Sequence, residues 1–247
     1  MAGYKLYYFD ARAKGEKCRL ALAAAKIDFE DVRFKVSLTG EESEEWAKEK
    51  ASGRPPLGQM PFLVTPEGKI LGQSGAIMKY ICRKAGQSKL RELNFDNVYS
   101  SGLCPEDSFD ETLADMIHDA TDDLRNAVIK FFFEKDEAKK AGLEKEYNET
   151  TLPARLEKFE ALLKSRDEGK GFFLGDKRMF IYLFLFCLRL TYADISFFDF
   201  FNGYIAGGQP TIPKELQKFP LLAEHYNRVL NVPEIKTWIA KRPASFF

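Results

Sequence analysis

Strand-like and helix-like patterns of apolar residues alternate in the first part of this chain, and only helix-like patterns follow. This change limits the folds that the chain can adopt. Residues 4–9 are rich in aromatic side chains and favour a strand. Cys18–Lys26, opened by Glu16, is rich in alanine and leucine and favours a helix. Val32–Val36 alternates apolar with charged residues, as a second strand would. A helix between two strands predicts a βαβ unit with its strands parallel.

A hairpin and a second helix are predicted next. Phe62–Val64 and Lys69–Leu71 flank Thr65–Gly68, whose proline and glycine provide the geometry of a turn. Ser74 then precedes an amphipathic helical stretch that we expect to stop at Gly86. The predicted order through residue 86 is therefore βαβ-ββα.

The strand signals end near residue 87. Residues 87–108 are small and polar and read as a linker. Apolar residues recur at three- and four-residue steps along 113–128 and 152–163, which indicates amphipathic helices. We therefore predict an α/β domain over 1–86, the linker, and an all-helical domain over 109–247. Within the helical domain, Thr191 and Asp194 fit a capping box at a helix start.

Composition points to a small-molecule partner or a second subunit. The 37 Lys and Arg residues balance 37 Asp and Glu residues, so no overall charge attracts nucleic acid or an anionic membrane. The four cysteines are widely spaced and there are two histidines, which argues against a disulfide framework and a histidine metal site. The N-terminus lacks the features of a secretion signal, so we expect a cytoplasmic protein. The longest apolar run, Met179–Leu188, is about half of the ~20 residues that span a bilayer.

Several motifs, in this order and spacing, resemble the cytosolic glutathione transferases. The resemblance is greatest to the sigma class, which includes glutathione-dependent prostaglandin D synthases and the S-crystallins. The motifs are YKLYYFDARAKGE, GQMPFLVTPEGKILGQSGAI, DATDD, FFLGD, LTYADISFFDF and WIAKRP. The resemblance implies a thioredoxin-like N-terminal domain that binds glutathione, a helical bundle domain that holds an apolar electrophile, and a homodimer.

Tyr8 matches the family's catalytic tyrosine at the end of the first strand. A phenol can donate a hydrogen bond to sulfur and so favour the thiolate of glutathione, which is the nucleophile, over the thiol. Tyr4 and Tyr7 lie on the same strand, and we expect both to pack in the sheet. Tyr8 is therefore the predicted catalytic residue.

The resemblance places two pairs of residues against glutathione. Gln59 and Met60 precede Pro61 in what resembles the family's cis-proline turn, where the residue before proline pairs by backbone with the cysteinyl part. Gln73 and Ser74 precede a helix whose free N–H groups and positive dipole end suit the γ-glutamyl carboxylate. The alternative for Ser74 is a helix cap with no other role.

Three further residues match positions near the glycyl end of glutathione or its thiol. Trp46 and Lys50 are four residues apart in a charged helical segment, and the lysine can pair with a carboxylate. Without the resemblance, that segment reads as a solvated face. Lys14 stands where the family usually has an arginine that helps to activate the thiol. Lysine keeps the charge but loses the planar guanidinium, which leaves the role of Lys14 open.

Asp119, Asp122 and Asp123 share one face of a predicted helix. In the family such acids line the dimer cleft, and the counterpart of Asp123 reaches the amino group of the glutathione bound in the other subunit. Carboxylates so placed are also candidate ligands for magnesium or calcium, as in the related prostaglandin synthases, although the chemistry does not require a metal. The alternative is a hydrated acidic face.

The predicted function is conjugation of the glutathione thiolate to apolar electrophiles. One alternative is a prostaglandin-H2 D-isomerase, which is disfavoured because Lys130 and Ser196 replace aromatic residues of that enzyme's pocket. The other is a crystallin-like protein without turnover, although Tyr8, Gln73, Ser74 and Asp123 are all retained. The electrophile itself is not identified by the residues expected to shape the pocket: Ala11, Ala13, Phe200, Phe246 and Phe247.

Met179–Arg189 interrupts a pattern that otherwise reads continuously as FFLGDKR followed by LTYADISFFDF. The segment is almost wholly apolar, without a helical or strand periodicity that would bury one face. It is either an artefact of the gene model or transcript, which we favour, or a genuine extra turn of helix.

Overall fold

The structure is a computed structural model that describes residues 3–36, 43–89, 103–174 and 190–245. The chain divides into two compact units. The first comprises residues 1–104 together with 231–247, and the second comprises residues 105–230. The C-terminal residues thus group with the first unit, whereas the sequence suggested a helical domain that continues to residue 247. The domain boundaries given above stay a prediction.

A four-stranded mixed sheet forms the centre of the first unit. Its strands are β1 (Tyr4–Phe9), β2 (Phe29–Phe34), β3 (Phe62–Val64) and β4 (Ile70–Gly72). Their order in the sheet is β2-β1-β3-β4, with β1 and β2 parallel and the other pairs antiparallel. The predicted βαβ-ββα order and the thioredoxin-like architecture are confirmed.

The α-helices in the described residues of the first unit are α1 (Ala13–Ala24), α2 (Glu44–Ala51), α3 (Ser74–Lys89) and α9 (Pro233–Lys241). The predicted stop of α3 at Gly86 is wrong, because the helix continues to Lys89. A glycine inside a helix costs only about 1 kcal/mol relative to alanine, so it need not end the helix.

The core of the first unit lies where α1 and α3 pack together and the sheet contributes its central strands. Leu6 of β1, Leu20 of α1, Leu63 of β3, and Ile77 and Ile81 of α3 are all fully buried. Each such side chain contributes about 1.5–3 kcal/mol through removal of apolar surface from water. The core therefore fixes β1 and α1, the two elements that lead into and out of the loop after Tyr8.

A buried carboxylate joins α1 to α9. Glu16 accepts hydrogen bonds from Trp238 Nε1 at 2.9 Å, from Arg242 at 2.7 Å and from Arg19 at 3.3 Å. Burial by itself would raise the pKa of Glu16, but the positive charges of Arg19 and Arg242 and the donated hydrogen bonds outweigh it and lower the pKa. Glu16 is therefore held ionised in the interior.

The second unit is helical, as predicted. Its helices in the described ranges are α4 (Ser108–Phe132), α5 (Glu137–Glu146), α6 (Leu152–Lys164), α7 (Tyr192–Phe200) and α8 (Pro220–Leu230). The longest helix, α4, packs along α7, every residue of which is buried. Among the described residues, no helix has the length and hydrophobicity needed to cross a membrane.

The predicted capping box at the start of α7 is present. The backbone N–H of Thr191 donates to Asp194 at 2.8 Å. Asp194 also accepts from the N–H of Phe173 at 2.9 Å and contacts His225 Nε2 at 2.7 Å. The cap therefore ties together the chain on both sides of the apolar segment Met179–Arg189, which itself lies outside the described residues.

The lowered pKa of Glu16 gives a prediction about stability and pH. A carboxyl whose pKa is lower in the folded chain contributes stability above its unfolded pKa, about 4.3, and that contribution is lost as pH falls through the folded pKa. Glu16→Gln should destabilise the chain by about 3–5 kcal/mol at pH 7, since it removes the buried carboxylate charge that faces both Arg19 and Arg242. The difference in free energy of unfolding between the wild type and Glu16→Gln should then be smaller at acidic pH.

Urea unfolding at pH 7 and at pH 3.5 measures that gap. The control is Glu30→Gln, which breaks an exposed ion pair with Lys5 and should leave stability near that of the wild type at both pH values. If the wild type and Glu16→Gln differ in free energy of unfolding by the same amount at both pH values, the lowered pKa of Glu16 is contradicted.

Candidate functional site

Tyr8 lies near the carboxyl end of β1 and is 7% exposed. Its hydroxyl oxygen accepts the backbone N–H of Lys14 at 3.2 Å. Lys14 is in the first turn of α1, where backbone N–H groups have no partner within the helix. Because the phenol oxygen accepts this hydrogen bond, its own proton can be donated elsewhere. The same contact brings the positive end of the α1 dipole toward the oxygen, which favours negative charge there.

Close approach of α1 to the Tyr8 ring depends on Gly15. A Cβ at that position would lie 2.4 Å from Cδ1 and 2.7 Å from Cγ of Tyr8. Real Cβ contacts are not that short, so any larger residue would displace the ring or the helix. The neighbouring Ala13 has a φ of +31°, a backbone conformation that is uncommon for a residue with a side chain. The first turn of α1 thus has a specific conformation beside Tyr8.

The two predicted pairs, Gln59–Met60 and Gln73–Ser74, come together at the end of the sheet. Phe62 of β3 pairs with Gly72 of β4, which places the residues just before β3 beside those just after β4. The Gln73 amide donates to Gln59 Oε1 at 3.3 Å. The Met60–Pro61 peptide is cis, as the resemblance implied.

Ser74 is the first residue of α3 and is buried, whereas Gln73 is exposed with a φ of +66°. The carbonyl of Gln73 accepts the N–H of Ile77 at 2.9 Å, so Gln73 occupies the cap position. Ser74 is then the first residue inside the helix, and its role at the ligand stays a prediction. The free N–H groups at the start of this 16-residue helix lie next to the Gln59–Gln73 pair.

Trp46 and Lys50 both lie on α2, but in different environments. Trp46 is 5% exposed and packs with its ring edge-on to Phe9 and Phe34, at centroid distances of 6.3 and 6.0 Å. Lys50 is exposed, as is Lys14 on α1. Trp46 therefore anchors α2 to the sheet, while the two lysines present their charges at the surface.

Arg54 is a residue that the sequence analysis missed. Its guanidinium binds both carboxylate oxygens of Glu49, at 2.6 and 2.5 Å, and donates to the hydroxyl of Tyr7 at 3.3 Å. It also lies over the Tyr7 ring, 4.6 Å from the centroid. The hydrogen bonds to Glu49 raise the pKa of Arg54, so it is always charged. Arg54 thus joins the end of α2 to β1 one residue before Tyr8, and no local sequence pattern indicates that contact.

The three acids of α4 do not form a metal site. Asp119 and Asp123 are exposed, whereas Asp122 accepts from Arg125 Nε at 3.1 Å and lies 3.8 Å from His118 Nε2. A carboxylate already paired with a guanidinium is a poor ligand for a hard cation. Across the part of the chain that the structure describes, no three His, Cys, Asp or Glu side chains are arranged to hold a metal ion. A divalent cation is therefore not supported.

Two residues named above for substrate pockets are buried: Phe200, which is expected to shape the electrophile pocket, and Ser196, which replaces an aromatic residue of the isomerase pocket. Ser196 is fully buried, and its hydroxyl is 2.8 Å from His118 Nδ1. Phe200 is also fully buried and packs edge-on against Phe201 at 4.9 Å between centroids. The sequence could not show this burial, because it depends on how α4 and α7 pack.

Comparison with known proteins identifies the family. Residues 4–83 match the glutathione S-transferase N-terminal domain, and residues 122–242 match the glutathione S-transferase C-terminal domain. Glutathione S-transferase 4 of Caenorhabditis elegans is 30% identical over 251 residues, with 99% of each chain covered. The chain belongs to the glutathione S-transferase family.

Two further relatives show how wide the family likeness is. S-crystallin SL11 of Nototodarus sloanii is 27% identical, with 100% of each chain covered. The solved structure of prostaglandin synthase D of Nilaparvata lugens has a TM-score of 0.72 at 28% identity, covering 98% of this chain and 100% of that chain. The predicted transferase function and fold are confirmed by the two domain matches and the relatives named as transferases. The role of each site residue stays a prediction.

Gly15 provides a test of the geometry beside Tyr8 in this transferase. Gly15→Ala should lower glutathione conjugation by about 10–100-fold, because a misplacement of ~1 Å at a reacting group can cost ~100-fold. Gly142→Ala is the matched control, since Gly142 is also helical and its added Cβ meets nothing within 4 Å. Steady-state kinetics with a generic aromatic halide measure both variants. Full activity of Gly15→Ala would mean that the ring position is not critical.

Proposed function

We propose that this chain conjugates glutathione to apolar electrophiles in the cytoplasm, as a detoxifying enzyme, with Tyr8 as the catalytic residue. The observation that carries the proposal is the hydrogen bond from the Lys14 N–H to the hydroxyl oxygen of Tyr8, which orients a phenol that can donate to the sulfur of glutathione. Stabilising the thiolate lowers the pKa of the bound thiol and raises the fraction of nucleophile at neutral pH. The thiolate then forms a carbon–sulfur bond with the electrophile.

The rest of glutathione extends from Tyr8 along the edge formed by the two loops before β3 and α3. The backbone of Met60 pairs with the cysteinyl part, and Gln59, Gln73 and Ser74 bind the γ-glutamyl part. Support comes from the Gln59–Gln73 contact and the free N–H groups of α3, which suit a carboxylate. At the glycyl end, Trp46 positions α2, and Lys50 provides positive charge for the second carboxylate. Lys14 lies beside Tyr8, at the thiol end.

We further propose a homodimer of the sigma class, in which Asp123 binds the amino group of the glutathione held by the other subunit. Asp123 suits this role because 70% of its side chain is exposed, while Asp122 is occupied by Arg125. Arg155 lies 3.6 Å from Asp123 and is itself 39% exposed, so the pair can open at little cost to meet an ammonium group.

Prostaglandin isomerisation is a second candidate activity. The likeness to prostaglandin synthase D of Nilaparvata lugens favours it. The crystallin relative, in turn, suggests a third possibility, a protein without turnover. Conjugation of an aromatic halide distinguishes the first from the third, and conversion of prostaglandin H2 identifies the second.

Tyr8→Phe tests the catalytic assignment. Removing the hydroxyl should raise the pKa of the bound thiol toward that of free glutathione and lower turnover by about 10–1000-fold, as for loss of a comparable hydrogen-bond donor. Thiolate absorbance as a function of pH measures the first effect, and steady-state kinetics the second. Tyr4→Phe, on the same strand, is the control and should leave both unchanged. Unaltered thiolate absorbance and turnover in Tyr8→Phe would exclude Tyr8 as the activator.

Asp123→Asn tests the contribution of the second subunit. It should weaken glutathione binding about 5–50-fold, because a charge-assisted hydrogen bond contributes roughly twice as much as a neutral one. Asp119→Asn, an exposed acid on the same helix, is the control and should bind glutathione normally. Calorimetric titration gives the affinities, and sedimentation gives the oligomeric state. A fully active monomer would rule out the shared site.

A further inference from the structure

The C-terminal segment of the chain contacts the loop and helix that follow Tyr8. Trp238 and Arg242 donate to the buried carboxylate of Glu16, at 2.9 and 2.7 Å. A third contact runs from Arg12 Nη1 to the carbonyl oxygen of Ser245, at 2.8 Å. We call Trp238, Arg242 and Ser245 the C-terminal clasp. More than 220 residues separate the two sides of each contact.

Glu16 is connected to Tyr8 through two neighbouring residues of α1. It lies in the same turn of α1 as Lys14, whose N–H binds the Tyr8 oxygen, and Gly15, which packs against the ring. A helical turn moves as a unit, because its backbone hydrogen bonds fix successive residues together. A shift of Glu16 therefore moves the donor of the Tyr8 hydrogen bond.

Arg19 extends the same connection to the loop between β1 and α1. It is fully buried and donates to the carbonyl of Ala11 at 2.7 Å and to that of Phe9 at 3.3 Å. The same guanidinium binds Glu16, and it lies over the Tyr8 ring at 5.8 Å from the centroid. Loop, helix start and tyrosine are thus held by one network of charged groups.

We propose that the C-terminal clasp positions Tyr8 for thiol activation, with Trp238 and Arg242 as positioning residues that act through Glu16. The proposal rests on the catalytic role of Tyr8 proposed above. It assigns to the last helix a function beyond packing: the clasp keeps the Lys14 N–H aligned with the phenol oxygen, so that the phenol proton points to the sulfur.

A purely structural role for α9 gives a different expectation. The same helix also contacts the first unit through Phe29, whose ring lies 5.6 Å from that of Trp238, and through an exposed ion pair between Lys26 and Glu234 at 2.9 Å. Neither contact involves the residues between Phe9 and Glu16. If α9 only stabilises the fold, loss of any of its contacts should act through stability alone.

Three variants separate the two roles. Trp238→Phe removes the indole N–H but keeps an aromatic ring against Phe29. Arg242→Gln removes the charge that faces Glu16, and Arg242→Lys restores it without the planar guanidinium. Lys26→Met is the matched control, since it cuts the exposed ion pair between the same two parts of the chain. Circular dichroism and thermal unfolding show which variants fold.

Each variant is combined with Tyr8→Phe in a double-mutant cycle. The readouts are kcat and the pKa of the bound glutathione thiol, taken from thiolate absorbance against pH. We expect Trp238→Phe and Arg242→Gln to lower kcat by about tenfold and raise the thiol pKa, since small misplacements of a reacting group are costly. In the Tyr8→Phe background the same substitutions should change kcat less than about twofold, because the group they position is gone.

Arg242→Lys should recover part of the lost activity, and Lys26→Met should retain the wild-type kcat and thiol pKa. The proposal would be overturned if the clasp substitutions lowered kcat equally in the wild-type and Tyr8→Phe backgrounds. It would also be overturned if folded clasp variants left the thiol pKa unchanged. If Arg242→Gln does not fold, Trp238→Phe alone decides the cycle. Tyr8→Phe with wild-type activity would instead refute the catalytic role of Tyr8, and that result is read from the single variant.

Discussion

The buried charge of Glu16 is the constraint on which the first unit depends. An ionised carboxylate in the interior is tolerable only when donors and opposite charges surround it. Here those partners come from α1 itself through Arg19 and from α9 through Trp238 and Arg242. Satisfying one charge therefore requires the chain's last helix to return to its first, and this explains why residues 231–247 group with the first unit rather than with the helices that precede them.

The same constraint explains how Tyr8 can be held rigidly at the end of a strand. Tyr8 is followed by a loop whose carbonyls are bound by Arg19, and then by a helix whose first turn meets its ring at Gly15 and its oxygen at Lys14. Groups held by both a strand and a helix are placed more accurately than groups on a free loop. The apolar core fixes the two elements, and the charged network fixes the short segment between them.

Much of the fold could be predicted because its signals are local. The β1 strand, the hairpin around Thr65–Gly68 and the capping box at Thr191 each depend on residues within a few positions of one another. The contacts that were missed are distant in sequence or depend on packing. Arg54 shows no pattern that indicates Tyr7 as its partner, and the burial of Ser196 follows from its contact with His118, 78 residues away. Gly86 was misjudged because helix continuation depends on neighbours, not on glycine alone.

The acids of α4 show what a spacing pattern can predict and what it cannot. Positions three and four residues apart share a helix face, so the sequence correctly groups Asp119, Asp122 and Asp123. It does not show that Arg125 lies in the interior, where burial would lower its pKa but the attraction of Asp199, at 2.6 Å, outweighs that effect and raises it. A permanently charged guanidinium so placed also draws in Asp122. One acid of the three is thus paired within the fold, which removes the cluster that a metal would need and leaves Asp119 and Asp123 as separate exposed carboxylates.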